Sequence, residues 1–228
     1  MSQSNFGVCC VCGEGTTTRC GSCAEAGFDL FFCSKEHQKL IWPHHKRVCG
    51  PRSNPFIWPG LTQDEAEEAK KLLMPDRADT ALYKVCVQIA TCVKIDPPNP
   101  LIRAHQSVDH WAQRKAGGVE EKEPFPPSAV FPQTAAWAVL LGRRFFPQAS
   151  NDEASHQPSW LPAVFHQLLA IATLAVRSSS PTISEEERES TFTHLDRGWE
   201  LLRGIVSEQA MPTHPEEAAR FLDALKNM

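Results

Sequence analysis

The chain has 228 residues, 42% of them hydrophobic, and a formal net charge of −4 from 23 Lys and Arg against 27 Asp and Glu. That is enough for one sizeable domain plus a small module, and it is not the composition of a disordered chain. It carries no excess of positive charge for nucleic acid or an anionic membrane, and no apolar run approaches the ~18 residues of a spanning helix. The stretch Met1 to Val8 lacks the layout of a secretion signal, and Ser2 stands where myristoylation needs Gly. A soluble intracellular protein of the nucleus or cytoplasm is expected.

Nine cysteines are present, and seven precede residue 50 in the company of His37, His44 and His45. A secreted disulfide scaffold would spread its cysteines along a short chain, whereas this clustering has the spacing of metal sites. The pairs are Cys9-x2-Cys12, Cys20-x2-Cys23, Cys33-x3-His37 and His45-x3-Cys49. Zinc takes four nitrogen or sulfur ligands tetrahedrally, so eight ligands make two sites. Gly13 and Gly21 are placed for the tight turns of Cys-x2-Cys knuckles. Cys33/His37 and His45/Cys49 are spaced i, i+4, which predicts one face of a helical turn for each and selects His45 over His44. Cys10 is left as a spare thiol or a supporting group. The segment offers little apolar core, and both sites can be filled by protein, so they read as structural rather than catalytic.

After the metal module, Pro51, Pro55 and Pro59 mark a linker over residues 51–61 that carries Phe56, Ile57 and Trp58. An all-α domain is expected over residues 62–228. Thr62 to Glu65 is a capping-box signature opening a helix to about Met74. Residues 80–94 fit a strand alternation and a helical face; the lack of a partner strand selects helix. Cys86 and Cys92 fall here, off a common helix face, as buried thiols. A helix from about Pro100 to Lys115 carries the polar cluster His105, Asp109 and His110. Another runs from about Gln133 to Phe146. Pro162 opens an apolar helix to about Val176. Ser184 and Glu187 form a second capping box, followed by the stripe Phe192, Leu195, Trp199, Leu202 and Ile205. Thr213 and Glu216 open a last helix with Phe221, Leu222 and Leu225 inward. His156, His166, His194 and His214 show no partner pattern.

The N-terminal stretch resembles the MYND finger, through Cys9, Cys12, Cys20, Cys23, the run Phe32-Cys33-Ser34-Lys35-Glu36-His37-Gln38-Lys39, Trp42-Pro43, His45-Lys46 and Cys49. It departs where His37 replaces the family's usual Cys, a change shared by many similar fungal MYND proteins. The resemblance implies a small cross-braced finger with a short hairpin, short helices and two structural zinc ions. Pairs one and three then form one site, Cys9, Cys12, Cys33 and His37. Pairs two and four form the other, Cys20, Cys23, His45 and Cys49. Three thiolates and one imidazole leave each loaded site at −1, with Arg19, Lys35, Lys39, Lys46 and Arg47 near in sequence to offset it. The run His44 to Arg47 reads as a solvated, compensating face.

The resemblance further implies that Gln38 and Trp42, one turn apart on a short helix ending near Pro43, line a groove for Pro-rich peptides. An indole face suits a pre-extended polyproline strand, and an amide fixes its register. The expected role is an adaptor or regulator that binds proteins. Two alternatives stand beside it: an enzyme with a site in the helical domain, and a transcription-linked nucleic-acid binder. No phosphate loop, Gly-x-Ser-x-Gly elbow, His-Glu-x-x-His motif or methyltransferase signature accompanies the finger, so no catalytic residue is assigned. The segment from Pro97 to Ile102 has the Pro-rich, aliphatic-ended form of such peptides and is a candidate for self-recognition.

Overall fold

A computed structural model of the chain describes residues 6–46, 48–54, 67 and 160–226. Apart from Glu67, the helices expected over 62–74, 80–94, 100–115 and 133–146, most of the 51–61 linker, and the segment from Pro97 to Ile102 lie outside the described residues, as do Cys86, Cys92, His105, Asp109, His110 and His156.

The first unit begins with a two-stranded antiparallel hairpin, β1 (Gly7–Val8) and β2 (Gly15–Thr16), with Gly7 opposite Thr16 and Val8 opposite Gly15. The loop between them is the first Cys-x2-Cys knuckle. It is closed by Cys9 N–H donating to the Glu14 carbonyl and Gly13 N–H donating to the Cys9 carbonyl, both at 2.8 Å. Gly13 has φ of +78°, where a side chain would be strained, so the turn needs glycine here. The second knuckle is built differently. Cys20 precedes the short helix α1 (Gly21–Glu25), and the Ala24 N–H returns to the Cys20 carbonyl at 3.0 Å. Gly21 therefore starts a helix instead of making the tight turn expected of it.

Helix α2 (Lys35–His45) is opened by Ser34, whose hydroxyl accepts from the His37 N–H. It runs through Pro43, two residues beyond the end expected from that proline. The missing N–H costs one bond near the end, and Lys46 N–H still closes on the Trp42 carbonyl at 3.1 Å. A 3₁₀ turn (Gly50–Arg52) follows. Val11, Leu30, Phe32, Ile41 and Val48 are all buried, so the unit has a small apolar core where almost none was expected.

The second unit is a helical hairpin, α3 (Leu161–Ser178) and α4 (Glu185–Ile205), continued by a π turn (Val206–Ala210) and α5 (Pro215–Lys226). Proline sits in the first turn of α3, as the sequence predicts. Both halves of the capping box at α4 are present: Glu187 N–H donates to Ser184 Oγ at 3.1 Å, and Ser184 N–H donates to Glu187 Oε2 at 3.0 Å. Two expectations differ. Phe192, placed in the inward stripe, is 46% exposed, while Trp199 and Leu202 of that stripe are buried. Thr213 does not cap α5; its hydroxyl donates to the Ala210 carbonyl and so finishes the preceding turn.

From Val164 to Ala175 every residue of α3 is buried, the pattern of a central helix. One side packs on α4, closely at Gly198, where an added Cβ would lie 3.0 Å from Ile171. Another packs on α2 of the finger, where Ala170 joins the finger core. The polar side chains buried in α3 explain this seat. Gln167 Nε2 donates to the Cys10 carbonyl at 3.2 Å and the Gly198 carbonyl at 3.1 Å. His166 Nε2 donates to the Ser53 carbonyl at 2.9 Å. Thr173 gives its hydroxyl proton to Leu169 and therefore accepts from His44 Nδ1–H at 3.1 Å. Each of the three makes a hydrogen bond to the finger, and these bonds favour this register of α3 against it.

Candidate metal centre

The fold gathers the four ligand pairs into two groups. Cys9, Cys12, Cys33 and His37 converge at one end of α2, and Cys20, Cys23, His45 and Cys49 at the other; within each group all donor atoms lie within 4.8 Å of one another. The route differs from the helical-turn argument. Cys33 precedes the Ser34 cap, and Cys49 follows the helix in extended backbone, so neither i, i+4 pair shares a helical turn. Instead α2 carries His37 near its start and His45 as its last residue. Eight residues at 1.5 Å each separate the two groups by about 12 Å along the axis.

In the first group, Cys12 and Cys33 sulfurs are 3.5 Å apart, and His37 Nδ1 lies 3.0 Å from Cys33 Sγ and 3.6 Å from Cys9 Sγ. In the second, Cys49 Sγ is 3.4 Å from Cys20 and 3.8 Å from Cys23, with His45 Nε2 3.6 Å from Cys23 Sγ. A tetrahedral zinc with bonds of about 2.3 Å to sulfur and 2.0 Å to nitrogen has donor edges of about 3.5–3.8 Å. Most of these separations match those edges, and all are far too long for the ~2.05 Å of a disulfide. Left to one another, the thiols of the second group cannot all ionise. Cys20 is held low, to about 3, by the hydrogen bond from Cys23, while that bond and burial push Cys23 up. A divalent cation removes the conflict. Two Cys3His donor sets of this shape suit two structural zinc ions.

The groups differ in cover. Cys20, Cys23 and His45 are buried, whereas Cys33 is exposed. His45 also packs edge-on against Phe32 and His166 and beside Trp42, at ring separations of 6.2, 5.4 and 5.8 Å. Cys10 enters neither group. Its N–H donates to the Phe31 carbonyl at 3.1 Å, and burial, then the charge of Cys9, raises its pKa.

Several partners were not foreseen. His166 stacks on Phe28 at 4.6 Å, and burial, then the adjacent His45, pushes its pKa down to about 3, so it is neutral. His194 of α4 meets the His37 ring edge-on at 4.9 Å. His44, assigned to a solvated face, is half-buried against Thr173, and burial brings its pKa to about 4. Arg19, counted as an offsetting cation, is engaged by Asp29 at 2.5 Å. One clue to the docking was present in α3: His166, Gln167 and Thr173 place three polar side chains in the apolar run from Leu161 to Val176.

Trp42 is 41% exposed on α2, and Gln38, one turn before it, is half-buried. A separate groove of about 680 Å³ opens between the hairpin and α4, walled by Phe6, Val8, Phe31, Leu201 and Ile205. Among the described residues, no helix is long and apolar enough to cross a membrane.

A MYND finger family model matches residues 9–49, a span that takes in all eight donors. A Rho GTPase-activating protein of Dictyostelium discoideum, gacZ, is 32% identical over 72 residues, which is 31% of this chain and 6% of that protein. The chain thus spans a small fraction of that relative's length. No solved structure matches. Residues 9–49 are a MYND finger, a zinc-binding protein-interaction domain, and among the described residues the stretch 160–226 is mostly helical.

Proposed function

We propose that the chain recognises Pro-rich peptide segments of partner proteins on the Gln38–Trp42 face of α2, and acts as an adaptor or regulator. In this reading, residues 1–50 are the recognition module, 51–61 a linker and 62–228 the helical part. The eight donors Cys9, Cys12, Cys33, His37, Cys20, Cys23, His45 and Cys49 are the zinc ligands. The observation that carries the reading is the exposure of Trp42. Its neighbours Ile41 and His45 are buried, yet the indole lies open beside a metal-anchored ring. A rigid support lowers the entropy lost when the indole packs on a ligand. Gln38, four residues earlier, is on the same helical face and supplies an amide to fix register.

The test is calorimetric titration of the full chain with a synthetic Pro-x-Leu peptide, after confirming two zinc ions per chain. Saturable binding that Trp42→Ala abolishes, with both ions retained, is the expected result. Absence of heat at millimolar peptide, or equal affinity in Trp42→Ala, would sink it.

A further inference from the structure

We propose that Arg197 of α4 is a positioning residue for the first metal site, holding a positive charge against the knuckle that carries Cys9 and Cys12. The inference rests on the two-zinc reading and adds to the finger a residue far from it in sequence.

Three observations carry it. First, the Arg197 guanidinium lies directly on the knuckle. A Cβ built on Gly13 would collide with Arg197 Nε and would sit 2.7 Å from Nη2. Gly13 is required by its positive φ, and the arginine above it fills the space a side chain would take. Second, the guanidinium has an ion-pair partner at the surface. Its Nη1 pairs with Glu200, one turn further along α4, which leaves Nε and Nη2 for the knuckle. Third, the same turn of α4 lays His194 against His37, the imidazole of that site. Gln167 ties the arrangement together by bonding at once to Cys10, inside the knuckle, and to Gly198, next to Arg197.

The need for a cation follows from the donor set. Three thiolates, one imidazole and a divalent ion total −1. The second site buries most of its donors, whereas the first has an exposed cysteine. A positive charge on the knuckle stabilises the loaded, anionic state against the emptied one and stands in the path of competing ligands. Glu200 pairs with Nη1 and tempers the charge, while Nε and Nη2 are the atoms closest to Gly13.

The experiment is zinc release from the full-length protein to a chromogenic chelator, with total zinc per chain measured first. A wild-type count other than two defeats the zinc reading itself; the inference about Arg197 is judged on the kinetics. The expected wild-type result is two phases of one zinc each. Arg197→Ala should accelerate one phase by roughly fivefold to tenfold and leave the other unchanged. Arg197→Lys, which keeps the charge, should restore most of the wild-type rate. Raising salt to about 1 M, where the Debye length is about 3 Å, should shrink the gap between Arg197→Ala and wild type. Unchanged release in Arg197→Ala overturns the proposal. So does acceleration of both phases together with loss of helical circular dichroism, which marks a merely structural role. Equal acceleration in Arg197→Ala and Arg197→Lys overturns it too, because charge would then play no part.

Discussion

The finger and the helical region reach a defined structure by different means. Between residues 6 and 54 the buried apolar side chains are few, and the donors themselves make up much of the interior: Cys9, Cys20, Cys23 and His45 are all buried. Between 160 and 226, Phe165, Leu168, Leu169, Ile171, Leu174, Leu202, Phe221 and Leu225 are at most 2% exposed. The first region relies on metal coordination and the second on apolar burial. Where they meet, the contacts are mixed: Ala170 enters the finger core, while Gln167, His166 and Thr173 make hydrogen bonds across the junction. Two sources of stability are therefore joined by a specific polar seam, in which a lost partner leaves a buried group unpaired.

Metal removal tests this contrast hardest. Structural zinc contributes on the order of 10 kcal/mol to small modules. Chelation should abolish hydrogen-exchange protection across residues 6–54, while circular dichroism retains the helices of 160–226. Amides of α3 facing the finger should lose part of their protection. Cys23→Ser should lose at least one zinc, and Cys10→Ser should keep both. If chelation erases the helical signal altogether, the two regions do not differ in the way described.

A core truncation probes the other side. Phe165 is fully buried in α3, and Phe165→Ala should cost about 3–5 kcal/mol in denaturant unfolding of the helices. Zinc content should stay at two per chain. Loss of metal in this variant would show that the finger depends on the helices as much as they do on their own core.

The smallest effect sharpens the picture at one helix end. Ser184→Ala removes half of the α4 capping box and should cost ~1 kcal/mol, with no change in zinc. The box also sets a pH dependence. The Ser184 N–H holds the Glu187 carboxyl below its ordinary range. A depressed folded-state value means that this contribution is present above the unfolded carboxylate pKa of about 4.3 and is lost as pH falls through the folded value. Glu187→Gln should flatten that part of the acid unfolding curve, and an unchanged curve would remove Glu187 from the account.

Much of this was readable in the order of residues, because the signals are local. Four ligand pairs at short spacing specify zinc chemistry. Pro162 and the Ser184/Glu187 box mark where α3 and α4 begin, since a cap is made within one turn. Gly13 marks a turn because positive φ is a property of one residue. The path of the backbone between donors was not readable. An i, i+4 interval fits a helical turn and also fits a chain that enters or leaves a helix, as Cys33 and Cys49 do, and only the cap at Ser34 and the run through Pro43 decide between them.

What the tertiary structure alone decided is everything that joins distant segments. No spacing relates Gln167 to Cys10, His166 to Ser53, Thr173 to His44 or Arg197 to Gly13, for these contacts are made by helix docking across more than a hundred residues. The same holds for Phe192, whose place on an apolar stripe predicted burial but whose surroundings leave it exposed. Periodicity tells which residues share a face, and only packing tells what that face meets. The sequence by itself determined the zinc chemistry, the finger family and the helical character of the C-terminal region, because each is encoded within a few turns of chain. The fold determined that the finger is seated on a helical hairpin, because burial and hydrogen-bond pairing are settled only when both surfaces are present.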